Sequence, residues 1–391
     1  MSIIPGSLRV AVVHDWLYCV GGAERVLEQM LMLFPQADVF TAIDNLPPNQ
    51  RNFLQGCAVH TSFIQNLPGG RTHHRVFLPL MPLAVEQFDL SGYDLVLSSS
   101  CAVAKGVITG PSQLHVSYVH SPMRYAWDLQ NAYLGQAGFT GLKGWIARLM
   151  LHQMRAWDVQ TANGVDSFVA NSRFVAQRIR KIYRRDAEVI HPPIDVDSFQ
   201  YGEDKRDYYL TVSRLVPYKR VDLIAAAFAR MPNRRLVVIG DGPELARVRK
   251  VAGPNVEILG YQDGATVCRH MREARAFVFA AVEDFGIAPL EAQSCGTPVI
   301  ALAQGGALET VRGIETREPT GVMFAEQTED SLIEAVETFE RRGRDIDPMA
   351  CRRNAMRFNP ARFRAELLGH VNQCYRGVGA PRELADIGAA A

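Results

Sequence analysis

What most narrows the fold of this chain is a repeated format: a short unbroken apolar run, a break marked by Gly, Asp, Ser or Pro, then residues at helical spacing. AFVFAA (276–281) and PVIALA (298–303) are such runs, as are LRVAVVHD (8–15), DVFTA (38–42), CAVHT (57–61), DLVLSSS (94–100), HVSYVH (115–120) and VDSFVANS (165–172). AEVI (187–190), DYYLTV (207–212), RRLVVIG (234–240), VEILG (256–260) and TGVMFA (320–325) continue the series. A strand covered on one face alternates apolar and polar residues, whereas one covered on both faces has no polar side to show. The runs therefore predict an α/β chain of parallel sheets flanked by helices.

A length of 391 residues suits two domains of roughly 150–200 residues each. The Pro192-Pro193 break predicts the division: an N-terminal Rossmann-like domain over 1–190, a linker over 191–206, a C-terminal Rossmann-like domain over 207–370 and a tail over 371–391. The net charge of +1 and pI near 7.7 give no reason to expect a nucleic-acid partner, so any anion site must be local. Seven scattered cysteines without a C-x-x-C pair fit a reducing compartment. The N-terminus lacks a basic, then apolar leader, and no apolar stretch is long enough to span a bilayer. A cytoplasmic protein is expected, with at most a peripheral contact at the inner face of the cell membrane. The basic, aromatic-rich stretches 71–81 and Gly141–Trp157 are where that contact would lie, although a helix packed on a sheet with a solvated basic face reads the same way.

The chemistry concentrates in VEDFGIAPLEAQSCG (282–296). Pro289 suits a helix start and Gly296 a helix exit, so the format is strand, loop, helix, strand. Helix starts at the carboxyl ends of parallel strands offer free N–H groups to an anion. Two carboxylates flank this one, Glu283 and Glu291. A carboxylate repels a phosphate but accepts hydrogen bonds from a vicinal diol, so the pair predicts sugar hydroxyls on either side of a diphosphate. Taken singly, each glutamate could equally cap or solvate the helix.

The motif E-D-F-G-I-A-P-L-E resembles the E-x7-E signature of family 4 retaining glycosyltransferases. That resemblance, which extends from about Leu8 to Phe363, implies the GT-B fold of two facing Rossmann-like domains with an interdomain cleft. SRLVPYK (213–219) resembles the family's G/S-R-L-x-x-x-K, implying that Arg214 and Lys219 clamp the donor diphosphate; Arg220 stands where many members have Gly, and its role stays open. His120-Ser121-Pro122 resembles an H-x-P position at which the family contacts the donor sugar, although a lone His at a strand end is often only partly buried packing. Gly21-Gly22, by itself a plain tight turn, is implied to face the diphosphate, and Asp241 in G-D-G-P to border the donor, where turn chemistry is the plainer reading.

The implied catalytic set is Glu283, His120, Arg214 and Lys219, with Gly21, Gly22, Asp241, Gly286, Ile287, Ala288 and Glu291 binding the donor. A front-face reaction without cofactor or metal follows, because two cations and a helix N-terminus take the place of a divalent ion. Asp195-Val196-Asp197 resembles the metal-binding D-x-D of the other large glycosyltransferase architecture, but it lies in the expected linker; His73 and His74 lack further ligands at metal spacing. VHDWLYCVGGAER and SRLVPYKRVDLI look most like bacterial mannosyltransferases of surface-polysaccharide assembly, which implies GDP-mannose as donor and a saccharide or lipid-linked saccharide as acceptor. A sugar-nucleotide epimerase of the same fold and a non-catalytic nucleotide-binding protein are the alternatives.

Overall fold

The computed structural model describes residues 8–54, 56–136 and 138–377. Among them, seven strands form one parallel sheet: β1 (Val10–His14), β2 (Asp38–Thr41), β3 (Val59–Thr61), β4 (Leu95–Ser100), β5 (Leu114–Val119), β6 (Ser167–Ala170) and β7 (Ala187–Val189), in the order β3-β2-β1-β4-β5-β6-β7. Six more form a second parallel sheet: β8 (Tyr209–Val212), β9 (Leu236–Ile239), β10 (Val256–Gly260), β11 (Ala276–Phe279), β12 (Val299–Leu302) and β13 (Gly321–Phe324), in the order β10-β9-β8-β11-β12-β13. Each apolar run read from the sequence holds one of these strands. β1, β4, β5, β9, β11 and β12 are buried along their whole length, which is why their sequences carry no alternation.

Both sheets are doubly wound. In the first the chain builds outward from β1 through β2 and β3, then returns to β4 on the other side; in the second β8 and β11 stand in the same relation. A crevice opens outside the carboxyl ends of the strands wherever the winding reverses, because the two flanking connections leave on opposite faces. The residues just after β1, β4, β8 and β11 border these two crevices.

One compact unit runs to Pro192 and resumes at Phe363; the other is Pro193–Arg362. This corrects the expected boundaries at two points. Residues 193–206 are not a free linker: Ile194 and Val196 are buried with Phe285, Leu290 and Phe358, and the Ile194 N–H donates to the Phe358 carbonyl. The helix Pro360–Gly377 does not finish the second unit, because its Phe363, Leu367 and Val371 are buried in the first unit's core with Leu97, Tyr118 and Val169. Residues 378–391 of the expected tail lie outside the described residues, as does the side chain of His74.

The helix Gly141–Thr161 divides into two halves. Leu151, Met154 and Trp157 pack into the first unit's core, and Trp157 donates to Glu86. Toward its start Leu142, Trp145, Ile146, Leu149 and Met150 are exposed, Leu142 by 74% and Trp145 by 61%. Among the described residues no helix is long and apolar enough to cross a membrane.

Candidate active site

In the second unit the loops that follow β8 and β11 carry the residues singled out by the sequence, and they meet. The Lys219 ammonium is ion-paired with the Glu283 carboxylate, both side chains being mostly buried. Arg214 is exposed, and among the described residues its guanidinium has no partner. Arg220 braces the two loops. It adopts φ 53°, the left-handed region that favours glycine, which explains why Gly serves this position in many relatives of the motif. Its guanidinium bonds Asp222 at 3.4 Å and Gln327 at 2.9 Å, and Gln327 in turn donates to the carbonyl of Ala280 at the end of β11.

The helix of the E-x7-E segment spans Ile287–Ser294. Gly286 caps it at φ 89°, turning the chain so that the first amides, Ile287 and Ala288, head the helix. Pro289 is thus its third residue rather than its first. It is tolerated there because the N–H of that position has no carbonyl to reach inside the helix. Glu291 accordingly begins the second turn. Gly296 ends the helix as expected: at φ 76° it donates to Gln293 at 2.9 Å while Thr297 donates to Ala292 at 3.0 Å, the paired bonds of a Schellman exit.

The loop bearing Glu283 is held from behind by Gly305 and Gly306. The Gly306 N–H donates to the Glu283 carbonyl at 2.8 Å, and a Cβ on Gly306 would stand 2.3 Å from the Phe285 Cα. Asp241 is exposed; its carboxylate accepts the Gly242 N–H at 2.7 Å and its carbonyl the Leu215 N–H at 2.9 Å, which ties the turn after β9 to the Arg214 loop. Asp195 accepts from the Ser198 hydroxyl at 2.5 Å and so closes a turn of its own.

In the first unit His14 ends β1 and His120 follows β5. Both bond the buried hydroxyl of Ser99 on β4, His14 Nδ1 at 3.0 Å and His120 Nε2 at 2.8 Å. Burial pushes the His120 imidazole down to about 4, so it is neutral at ordinary pH. Asp15 collects the N–H groups of Cys101, Ala102, Val103 and Ala104 at 2.5–3.0 Å and fixes the loop after β4. Gly21 caps the helix Gly22–Leu33, and its N–H is spent on Glu24 at 2.8 Å, leaving Gly22 and Ala23 to head the helix.

Two groups beside His120 escaped the sequence reading. The Ser121 hydroxyl and the Asn171 side-chain carbonyl are buried and, among the described residues, have no hydrogen-bond partner, although the Asn171 amide holds the His120 carbonyl at 2.9 Å. Buried polar atoms left without a protein partner are where a water or a ligand group completes the hydrogen bonding. The one available sequence signal was that both follow apolar strands at the carboxyl edge of the sheet.

Residues 194–358 match the family described as glycosyl transferases group 1, and residues 20–198 match Glycosyltransferase Family 4. A D-inositol 3-phosphate glycosyltransferase of Mycolicibacterium paratuberculosis is 26% identical in an alignment 295 residues long that covers 63% of this chain and 64% of that protein, less than two thirds of the relative's length. Among solved structures, Anabaena Alr3699/HepE in complex with UDP superposes with a TM-score of 0.69 at 17% identity, covering 94% of this chain and 100% of that one. Sucrose-phosphate synthase from Thermosynechococcus elongatus gives the same TM-score at 16% identity and the same coverage. At such identities the likeness speaks for the fold, two doubly wound parallel sheets of the GT-B class. With family matches running from residue 20 to residue 358, the chain belongs to the family 4 glycosyltransferases.

Proposed function

We propose that the chain is a retaining glycosyltransferase that moves a hexose from a nucleoside diphosphate sugar to a saccharide or lipid-linked saccharide acceptor. The observation that carries this reading is the contact between Lys219 and Glu283. A cation suited to phosphate beside a carboxylate suited to sugar hydroxyls matches a ligand that joins a sugar directly to a phosphate. The exposed Arg214 and the amides of Ile287 and Ala288 belong to the same two segments and would serve the phosphate of such a ligand. In the reaction the bond from C1 to the diphosphate oxygen breaks, the acceptor oxygen bonds C1 on the same face, and the acceptor's proton passes to the leaving phosphate. Lys219, Arg214 and the helix amides stabilise the charge that grows on that phosphate.

This arrangement needs no divalent metal, since the cations already supply the electrostatic help. Activity that vanishes on exhaustive chelation and returns with manganese overturns this part. For the donor we take GDP-mannose, on the likeness of VHDWLYCVGGAER and SRLVPYKRVDLI to polysaccharide mannosyltransferases. The competing candidates come from relatives: HepE structures hold UDP and UDP-glucose. A thermal-shift panel of GDP-mannose, UDP-glucose and UDP-N-acetylglucosamine ranks them, because a bound donor raises the melting temperature. Protection by none of the three overturns the donor class, and conversion of a sugar nucleotide incubated alone, seen by NMR, replaces transfer with epimerisation.

We also place the acceptor at an anionic membrane surface. Between Asp128 and Asp158 the sequence has no carboxylate, while Lys143 and Arg148 flank the exposed apolar stripe of the helix Gly141–Thr161. Basic residues beside exposed Trp and Leu match a negatively charged bilayer interface in both charge and polarity.

A further inference from the structure

We propose that Glu24, His14 and Ser99 form a one-way hydrogen-bonded chain that fixes the tautomer of His120, leaving its Nδ1 as the acceptor presented to a ligand. The chain crosses three elements: Glu24 in the first turn of the helix Gly22–Leu33, His14 at the end of β1 and Ser99 within β4. Its links are Glu24 Oε1 to His14 Nε2 at 3.5 Å, His14 Nδ1 to Ser99 Oγ at 3.0 Å, and Ser99 Oγ to His120 Nε2 at 2.8 Å. Glu24, His14 and Ser99 are all buried, so water cannot substitute for a missing link.

The direction follows from counting hydrogens. An ionised carboxylate only accepts, and Glu24 is held in that form by His14 and by the Gly21 N–H on its second oxygen, which together outweigh the burial that would raise its pKa. His14 must therefore give Nε2–H to Glu24. With this as the ring's only proton, the His14 Nδ1 lone pair takes the single hydrogen of the Ser99 hydroxyl. With its hydrogen committed, Ser99 can only accept from His120, so the His120 proton is on Nε2. Among the described residues His120 Nδ1 has no hydrogen-bond partner, and the unpartnered polar atoms Ser121 Oγ and Asn171 Oδ1 belong to residues beside it. A sugar hydroxyl can donate to Nδ1 and still accept from a neighbour, whereas the opposite tautomer would offer it a donor.

Glu24, His14 and Ser99 are positioning residues in this scheme; they act through His120. The chain itself stands on hydrogen bonds alone, while its effect on turnover rests on the reading of His120 as a donor-sugar contact. Long-range proton–nitrogen spectra of the full chain labelled with nitrogen-15 histidine distinguish the two tautomers, and His120→Asn assigns the signal. The expected result at neutral pH is the Nε2–H form of His120. Ser99→Ala should turn it into a mixture, and Glu24→Gln should do so too, since an amide can either donate to or accept from His14. Circular dichroism confirms that each variant is folded before its spectrum is read, and Ser99→Ala, which removes one buried atom, stands in if Glu24→Gln is not. An Nδ1–H tautomer in the unaltered protein, or an Nε2–H form that persists in folded Ser99→Ala, overturns the chain. Where the tautomer does become mixed, kcat/KM for the donor should fall roughly tenfold, the scale of one neutral hydrogen bond. A mixed tautomer with unchanged kcat/KM leaves the chain standing and overturns instead the assignment of His120 to the sugar.

Discussion

The two units share a topology and differ in how they bring polar groups to the carboxyl edge of the sheet. The first does it with side chains borne on or next to buried strands: His14, Ser99 and Ser100, at the ends of β1 and β4, are nearly inaccessible, and Lys105 after β4 pairs with Asp158 at 2.9 Å, to which Trp127 and Tyr183 also donate. The second does it with loops, whose cations are partly exposed and whose backbone is pressed together at glycines such as Gly306. The difference is chemical. A buried polar side chain must be satisfied by other side chains, so the first unit builds networks that fix orientation and protonation. A loop that cradles an anion needs helix amides and a cation such as Arg214 open to the ligand, so it is shaped largely by backbone contact instead.

If backbone contact shapes the second unit, adding one carbon there should do the most harm. Gly306→Ala places a methyl group 2.3 Å from the Cα of Phe285, where backbone faces backbone and no side chain can swing away. The cost should exceed the roughly 1–3 kcal/mol usual for overpacking, and donor protection in thermal shift should disappear. Retention of donor binding with an unchanged melting temperature would show the loop to be looser than this comparison requires.

The next largest effect belongs to the first unit. His115 is fully buried between the Ser98 hydroxyl at 2.9 Å and the Gly164 carbonyl at 3.2 Å, and burial pushes it down to about 4. Above pH 6.5 the imidazole is neutral folded or unfolded and contributes no pH dependence. As pH falls below 6.5 the unfolded chain takes up the proton first, so stability is lost, by about 3 kcal/mol when pH 4 is reached. In the second unit Lys205 is lowered to about 8, chiefly by burial, which gives no acid lability: it makes stability rise between about pH 8 and the ordinary lysine range. All four tryptophans, Trp16, Trp127, Trp145 and Trp157, are in the first unit. Tryptophan fluorescence in urea at pH 7 and pH 4.5 should therefore show a loss that far-UV circular dichroism, which sees both units, shows only in part. Coincident shifts by both probes would break the contrast.

A third test separates the two glutamates. Glu283→Gln removes a charged hydrogen bond from a mostly buried site, so kcat should fall by about 10- to 150-fold, the equivalent of roughly 1.5–3 kcal/mol. The unliganded melting temperature should drop slightly as well, because Glu283 has a partner to lose. Glu291→Gln should raise donor KM and leave kcat within about threefold, as for a contact equally strong in ground and transition states. Equal effects on KM alone from both substitutions would remove the sugar-side role of Glu283.

The strands were legible because burial on both faces leaves an unbroken apolar run, and the second unit's site was legible because its residues lie close in sequence on two loops. Three features were not. The helix Pro360–Gly377 shows its buried face through Phe363, Leu367 and Val371, but periodicity tells which side is covered and not by which core. The partners of His120 sit on separate strands, so no local pattern joins Ser99 or His14 to it. Arg220 read as a surplus cation because its left-handed backbone and its bond to Gln327 are tertiary facts.

The smallest effect concerns the surface of the first unit, where its habit of burying what it uses breaks down. The start of the helix Gly141–Thr161 leaves Leu142, Trp145, Ile146, Leu149 and Met150 uncovered, with spacings that put them on one side. Lys143 and Arg148 are exposed there too, whereas Arg155 is turned inward to the Ala126 carbonyl at 2.8 Å and to Gln130. Replacing Lys143 and Arg148 by Glu should therefore leave the fold within about 0.5 kcal/mol of its original stability, while Arg155 should be left alone. At about 1 kcal/mol for each basic residue lost near an anionic surface, the pair should weaken sedimentation with phosphatidylserine-containing vesicles by roughly 30-fold or more, and added salt should do the same to the unaltered protein. Trp145→Ser should weaken binding to neutral and anionic vesicles alike, because it removes apolar contact rather than charge. Vesicle binding untouched by all three changes would return the exposed stripe to a protein partner and leave burial as the first unit's rule.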